Sequence, residues 1–285
     1  MSRVEQIWRY AVKSMAGERL KQTAVGERGV TGDRAWVIRD EESAAICGAK
    51  KIGGLMRLAA AYAEAPTAAG SSAVTIRFED GSTALSSDPD ISDRLGKALG
   101  RRVTFCPLVA PANKDHYKRA KALDKMGPSE LRDMLGLIES EPLPDIRHAP
   151  VEVFEYECPI GTYFDTFPLL VMTSRSLETM QGRASGSRFD VRRFRPNFFL
   201  DNVDTDDPFP EFAWTGRRAS VGTAILRLSR PCLRCVMATR GFEDLEADPK
   251  IMRALVRETA GTLGIGAAVE TPGVVREGDV FTLLD

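Results

Sequence analysis

Short runs with strand character recur from end to end of this 285-residue chain. Val4–Val12, Ala35–Arg39, Ala73–Glu79, Arg102–Leu108, Pro168–Met172, Phe198–Asp201, Gly222–Ser229 and Val280–Leu284 all read as strands. Ala73–Glu79 and Gly222–Ser229 alternate apolar and polar residues with period two, the pattern of a strand with one face on a core. Gly29, Gly32 and Gly53-Gly54 punctuate the first group, and Pro272-Gly273 makes a turn before the last strand. Helical spacing is rarer. Ser87-Asp88-Pro89 opens a helix to Leu99 with Ile91, Leu95 and Leu99 on one face. Ser174 caps another, to about Gln181, and Pro249–Leu263 is amphipathic. Many short strands with few helices predict a mixed α/β fold built on a β-barrel.

The chain divides into a β-rich segment (1–108), a connecting insertion (109–150) and a second structured segment (151–285). The insertion holds KDHYKRAKALDK, a short helix from Pro128-Ser129 through Leu137, and the proline-rich EPLPDIRHAP. Long loops of this kind are functional lids or solvated excursions, and the composition favours the excursion.

Charge limits the partners. Lys plus Arg total 39 against 40 Asp plus Glu, a net charge of -1, so no global field draws the chain to nucleic acid or an anionic membrane. No apolar run approaches the ~20 residues that span a bilayer. The N-terminus lacks the apolar core of a secretory signal. Five cysteines, an odd number with only Cys232 and Cys235 close together, do not form a secreted disulfide framework. A cytoplasmic location follows as the expectation.

Four motifs could carry chemistry. The sharpest is Pro231-Cys232-Leu233-Arg234-Cys235. It reads as a zinc half-site, a thioredoxin-type dithiol, two structural thiols, or a single thiolate for a soft transition metal, with Arg234 helping to keep a neighbouring thiol ionised. Zinc lacks a partner pair, since Cys47, Cys106, Cys158, His116 and His148 are scattered. The second motif, Arg192-Arg193-Phe194-Arg195-Pro196-Asn197, is either a solvated loop or a guanidinium clamp on phosphate, with the Asn197 amide adding directional bonds. The third pairs Lys13-Ser14 with Gly32-Asp33-Arg34, at strand ends whose glycine spacing is not that of a Walker loop. The fourth, Thr173-Ser174, is an N-cap or an anion site at a helix start.

In this order the four pieces resemble the MOSC family, named for the C-terminal domain of molybdenum cofactor sulfurase. The likeness is to longer members with an additional N-terminal β-barrel segment, including the mitochondrial amidoxime-reducing component and its bacterial relatives. It is carried by YAVKS, GDRAW, TFPLLVMTSRSLETM, RRFRPNFFLD, PCLRCVMATR and PGVVREGDV. The resemblance implies a MOSC domain with a pyruvate-kinase-barrel-like fold, preceded by a β-rich segment. It implies a molybdenum cofactor, a molybdopterin whose dithiolene holds the metal, lying between the segments. Cys235 would supply the metal-binding and catalytic thiolate, and Cys232 is the less suited ligand. Lys13, Ser14, Arg34, Thr173, Ser174, Arg195, Asn197 and Arg234 would bind phosphate and pterin. Met237-Ala238-Thr239-Arg240-Gly241 departs from the two threonines and acidic turn that often follow the cysteine, which puts the substrate side in doubt.

Two functions are compatible with that resemblance, beside a third reading in which the barrel has lost its metal and binds some other anionic ligand. One is an oxidoreductase acting on a small molecule with an N–O or S–O bond. No iron–sulfur ligand set and no pyridoxal-phosphate portion is evident, so its electrons would come from a separate flavin or ferredoxin-type protein. The other is a carrier, with persulfide sulfur on Cys235 or cofactor held for delivery.

Overall fold

The computed structural model describes residues 2–68, 70–145, 151–201 and 205–284. His148 and the end of the proline-rich stretch lie outside them. Seven of the described short strands close into a barrel. In chain order they are β1 (Ser2–Arg9), β2 (Leu169–Thr173), β3 (Phe198–Asp201), β4 (Arg218–Val221), β5 (Ala224–Leu233), β6 (Thr262–Thr271) and β7 (Val280–Leu284). Around the barrel they run β3-β2-β6-β5-β4-β7-β1, and β1 pairs back onto β3. The β2–β3 contact is parallel, with Val171 opposite Phe198. Closure leaves these strands without an exposed hydrogen-bonding edge. The barrel interior is filled by Val4, Ile7, Val171, Phe198, Leu226 and Ile265. Ala224, Leu226 and Leu228 alternate inward along β5, as period two requires.

The first and last segments are interwoven. β1, from the N-terminus, closes a barrel made otherwise of C-terminal strands. Gln22–Gly26 likewise pairs with Gly273–Arg276. The rest of the first segment forms two small sheets. Trp36–Asp40 lies between Val103–Pro107 and Ala45–Cys47, and Val74–Arg77 between Ala59–Tyr62 and Thr83–Leu85. The Ile91–Leu99 helix buries Ile91 and Leu95 in this second core and ends at Gly100, whose φ of 65° suits glycine.

Three of the boundaries that differ from the sequence expectation have a clear local reason. The first strand stops at Arg9, because Tyr10–Val12 turns inward and Val12 bridges Trp36 instead. The last helix spans Lys250–Thr259: Ala260 takes a left-handed φ of 50°, and Leu263 belongs to β6. β5 continues past Ser229 through Pro231 and Cys232, with register shifts on both sides of the Pro231–Ile265 pair. A bulge of this kind accommodates a proline that cannot donate.

Over its described residues the insertion packs on the fold rather than forming a solvated excursion. It forms helices Lys114–Tyr117 and Pro128–Leu135 and buries Tyr117, Leu123 and Leu135. Gly136 ends the second helix at φ 72°, so close that a Cβ would lie 3.1 Å from the Val236 Cα. Arg253 fixes the following turn through a 2.7 Å bond to Glu141. Among the described residues no helix is long and apolar enough to cross a membrane.

Candidate functional site

One cleft runs between the barrel mouth and the first segment, beneath the insertion. Its two lobes, of about 240 Å³ and about 330 Å³, share Lys13, Ser14, Lys50, Asp165, Met134 and Met237 as walls. The smaller lobe contains Cys232 and Cys235. β5 delivers them: Arg234 N–H bonds to the Gly261 carbonyl at 2.8 Å, and the extended Cys235 then starts a short 3-10 turn, Val236–Thr239. Both thiols are partly exposed.

The charge around each sulfur is distinct. Arg234 donates to the Phe194 carbonyl at 2.6 Å and approaches Cys232 Sγ at 3.3 Å. The thiol it contacts is therefore Cys232. Cys235 lies in the field of Lys50 instead. Burial works to lower the Lys50 ammonium pKa, but Asp165 and the Cys235 thiolate raise it above its ordinary value. Asp165 bridges Lys13 and Lys50, the latter at 3.1 Å. Burial opposes ionisation of Asp165, and the two ammonium groups outweigh it to hold the carboxyl well below its usual range.

The three arginines of the 192–195 run have three different fates. Arg192 faces outward and pairs with Asp190, Glu243 and Asp244. Arg193 is buried and donates to the carbonyls of Arg188, Ala238, Arg240 and Glu246. Arg195 enters the cleft from a left-handed backbone at φ 57°. Its Nη1 donates to the Met15 carbonyl at 2.5 Å, while its buried Nη2 has no partner. Arg195 and Arg34 flank the buried Tyr10 ring at 4.1 Å and 5.0 Å from its centroid. Burial, then the Arg34 charge, push the Arg195 pKa down to about 10.

A cleft of soft sulfur and partly unpaired guanidinium is the setting for two sequence matches. The MOSC N-terminal beta barrel domain matches residues 1–97, and the MOSC domain matches residues 161–282. The chain belongs to the MOSC family. Among curated protein sequences none matches it. Among solved structures, the YuaD protein from Bacillus subtilis aligns over 99% of this chain and 96% of that one, at 12% identity and a TM-score of 0.45. YiiM from Escherichia coli aligns over 42% of this chain and 55% of that one, at 16% identity and a TM-score of 0.32. YiiM from Geobacillus stearothermophilus aligns over the same shares at 17% identity and a TM-score of 0.31.

The remaining site residues of this MOSC protein separate into cleft walls, supports and outliers. Lys13, Ser14 and Arg34 line the smaller lobe. Ser14 Oγ accepts from the Ala49 N–H at 2.9 Å, so its lone pairs already hold the next loop in place. Arg34 is ion-paired with Asp33, whose other oxygen accepts from Tyr10 N–H at 2.7 Å. Asn197 is a support. Its amide donates to the Trp8 carbonyl at 3.3 Å and Asp33 Oδ2 at 3.1 Å, and its oxygen accepts from Leu170 N–H. Both donors are committed to the fold, so Asn197 holds the arginine loop against β1 and β2 rather than offering bonds to a ligand.

Thr173 and Ser174 are brought together with each other but not with the cleft. They sit at the far end of β2 from Leu169 and Leu170, which line it. Thr173 caps the Ser174–Arg183 helix by accepting from Ser176 N–H, and donates to the buried Glu211 at 2.9 Å. Ser174 contacts Asp201. The capping alternative therefore describes Thr173, while Ser174, expected as the cap, is the first residue of the helix.

Sequence reasoning missed Tyr10, Lys50, Asp165 and the insertion's Met126 and Met134. Lys50-Lys51, set between Gly48 and Gly53-Gly54, is the one signal that could have flagged a basic loop. Asp165 carries none, because its importance comes from two lysines distant in sequence. Among the described residues no group of three or more His, Cys, Asp or Glu is placed to hold a metal.

Proposed function

We propose that the smaller lobe holds a molybdenum-pterin cofactor through Cys235, and that the protein is an oxidoreductase. Its substrates are N-hydroxylated or related N–O or S–O compounds, and its electrons come from a separate protein. The observation that carries this reading is the buried, unpartnered Nη2 of Arg195 in the same lobe as the Cys235 thiol.

The donor set fits the group. Buried polar atoms are almost always hydrogen-bonded, so an orphaned guanidinium nitrogen beside a cavity marks a place for an acceptor. Arg234 Nε is a second such atom. A phosphate monoester, with ~1.5 to 2 negative charges, matches two incompletely satisfied guanidinium groups. Thiolate sulfur matches a soft metal. When bound, the cofactor supplies two-electron removal of oxygen from substrate. The chain's own residues do the rest: Arg195 and Arg234 hold the anionic tail, Cys235 binds the metal, and Tyr10 keeps water from the guanidinium faces.

A sulfur-carrier reading rests on one specific feature, the second thiol, Cys232, beneath the Arg234 guanidinium in the same lobe. Elemental and pterin analysis of purified protein separates the two. The oxidoreductase is expected to hold about one molybdenum and one pterin per chain. Sulfane sulfur on Cys235 with no molybdenum would replace that reading with the carrier.

A further inference from the structure

Arg240 follows the short turn that Cys235 starts, and that turn places it. Its N–H bonds to the Met237 carbonyl at 3.1 Å, and its own carbonyl accepts from the buried Arg193 at 3.0 Å. The backbone is thus fixed, and the guanidinium lies against the loop that carries Lys50 and Gly53. Gly53 makes room for it: a Cβ there would lie 3.3 Å from Cζ, Nε and Nη1 of the arginine. Nη2 makes a long 3.4 Å bond to the Lys50 carbonyl, and the buried Nε has no partner. Among the described residues that long bond is the only one made by a group with five N–H donors.

The neighbouring charges set Arg240 apart. Lys13 and Lys50 pair with Asp165, and Lys51 and Arg119 with Glu157, so four of the five cations lining the larger lobe already have a carboxylate. All of these groups except Lys51 also wall the smaller lobe and distinguish neither. Arg240 lines the larger lobe and not the smaller one. Of the two remaining carboxylates there, Glu130 pairs with Lys121 at 2.6 Å and Asp133 is exposed to water. Five cations against four carboxylates leave the lobe one positive charge in excess. Arg240 also borders a wider groove, where four carboxylates outnumber three cations. An anion that pairs with Arg240 is therefore favoured in the lobe and disfavoured in the groove. A single excess charge matches a carboxylate better than a phosphate dianion.

We propose that Arg240 binds a carboxylate of the substrate in the larger lobe, so that the compounds reduced are small N–O or S–O acids. Met134 and Met237 line both lobes, which sets the acid's binding site beside the Cys235 lobe. At about 330 Å³ the space is at the small end of ligand pockets and suits a compact acid. The reacting group rests on the reductase reading; the anion subsite does not.

Equilibrium binding tests this on the full chain as purified, with its molybdenum content measured. In the wild type, 4-carboxybenzamidoxime is expected to bind about tenfold or more tightly than benzamidoxime, the gain from one charge-assisted bond. Arg240→Met keeps the backbone contacts and an unbranched side chain. It should erase that difference while leaving the affinity for benzamidoxime within about twofold of wild type. Arg240→Lys, which keeps the charge but not the planar group, should retain part of the difference. Molybdenum and pterin content should match wild type in both variants, because Arg240 is no wall of the smaller lobe. In turnover, Arg240→Met should raise KM for the carboxylated compound by about tenfold with kcat nearly unchanged. No preference for the acid in the wild type, or a preference that survives in Arg240→Met, would overturn the subsite even if the protein turns over. Binding of the acid that depends on Arg240, without turnover at full molybdenum loading, would keep the subsite and remove the reductase reading.

Discussion

The Arg195 guanidinium lies 4.1 Å from the centroid of the Tyr10 ring, and Arg34 lies 5.0 Å from the same ring. Two like charges thus share contact with one buried aromatic ring. Asp33 neutralises Arg34 but not Arg195, which keeps a buried nitrogen unpaired. Burying an unpaired charge is unfavourable, so the site is poised to gain from an anion. Aromatic contact compensates in part, by about 1–2 kcal/mol in a desolvated setting.

Arg195→Ala is therefore expected to weaken retention of a phosphate-bearing ligand while stabilising the apoprotein or leaving it unchanged. A lost charge-assisted bond corresponds to ~1.5–3 kcal/mol, about tenfold or more in affinity. Pterin fluorescence after extensive dialysis measures the first effect and apoprotein melting the second. Unaltered pterin retention would remove Arg195 from the binding site.

Cys235→Ser and Cys232→Ser should separate cleanly. A hydroxyl is a poor donor to a soft metal, so molybdenum content is expected to collapse in Cys235→Ser. Cys232 instead meets the Arg234 guanidinium at 3.3 Å, an interaction a serine hydroxyl can partly replace. Its variant should hold most of its metal. Equal, full occupancy in both variants would leave Cys235 without the proposed role.

Arg193→Met tests a different function for an arginine two residues from Arg195. The side chain is 2% exposed and its N–H groups serve four carbonyls, three of them in the 238–246 turn after the cysteine motif. Removing it orphans those acceptors. A loss of about 3 kcal/mol or more is expected, which corresponds to a fall in Tm of about 6 °C or more for a chain of this size. Calorimetry on the variant checks this.

That contrast shows how far the sequence can be read. Period-two runs such as Ala224, Leu226 and Leu228 report directly on burial, so the barrel strands were legible locally. Phe198–Asp201 and Val280–Leu284 appear as strands at the expected bounds. The interweaving was not legible, because pairing of Arg3 with Asp201 joins residues nearly 200 positions apart and leaves no local mark. The same holds for the arginine run. Three chemically identical side chains are assigned to surface, core and cleft only by which carbonyls and carboxylates the fold sets beside them. The insertion misled for a related reason: charged, proline-rich composition conceals the few residues, Tyr117, Leu123 and Leu135, that anchor it.

Glu211 gives a pH signature of stability. It is fully buried, and both Thr173 and Ser176 hydroxyls donate to one carboxyl oxygen, at 2.9 Å and 2.5 Å, while the other oxygen has no partner. Burial raises its pKa above the ordinary 4.5, more than the hydroxyls lower it. A carboxyl whose folded pKa is raised takes up a proton on folding. Its contribution is fully present below the unfolded pKa and is lost as pH rises through the folded one. Relative to Glu211→Gln, the wild type should thus lose stability with rising pH above about 4.5, by at most about 1.4 kcal/mol per pH unit. Denaturant melts of both proteins across this range measure the difference. Parallel curves would show that Glu211 is ionised in the fold.

The source of electrons can be tested on the chain alone. Cys47 and Cys158 are buried in separate clusters and Cys106 lies on the Val103–Pro107 strand. Among the described residues no group of three or more His, Cys, Asp or Glu is placed to hold a metal. No strand is followed by a glycine-rich dinucleotide fingerprint. If the protein is a reductase, an artificial low-potential donor should drive reduction of a hydroxylamine or amidoxime. NADH alone should drive little until a flavin or ferredoxin-type protein is added. Side-by-side assays of wild type and Cys235→Ser make the comparison specific to the cleft. Robust turnover with NADH alone would sink the partner requirement. Silence with every donor at full molybdenum loading would instead move the assignment to the carrier, because a loaded cofactor that accepts no electrons has nothing to pass to substrate.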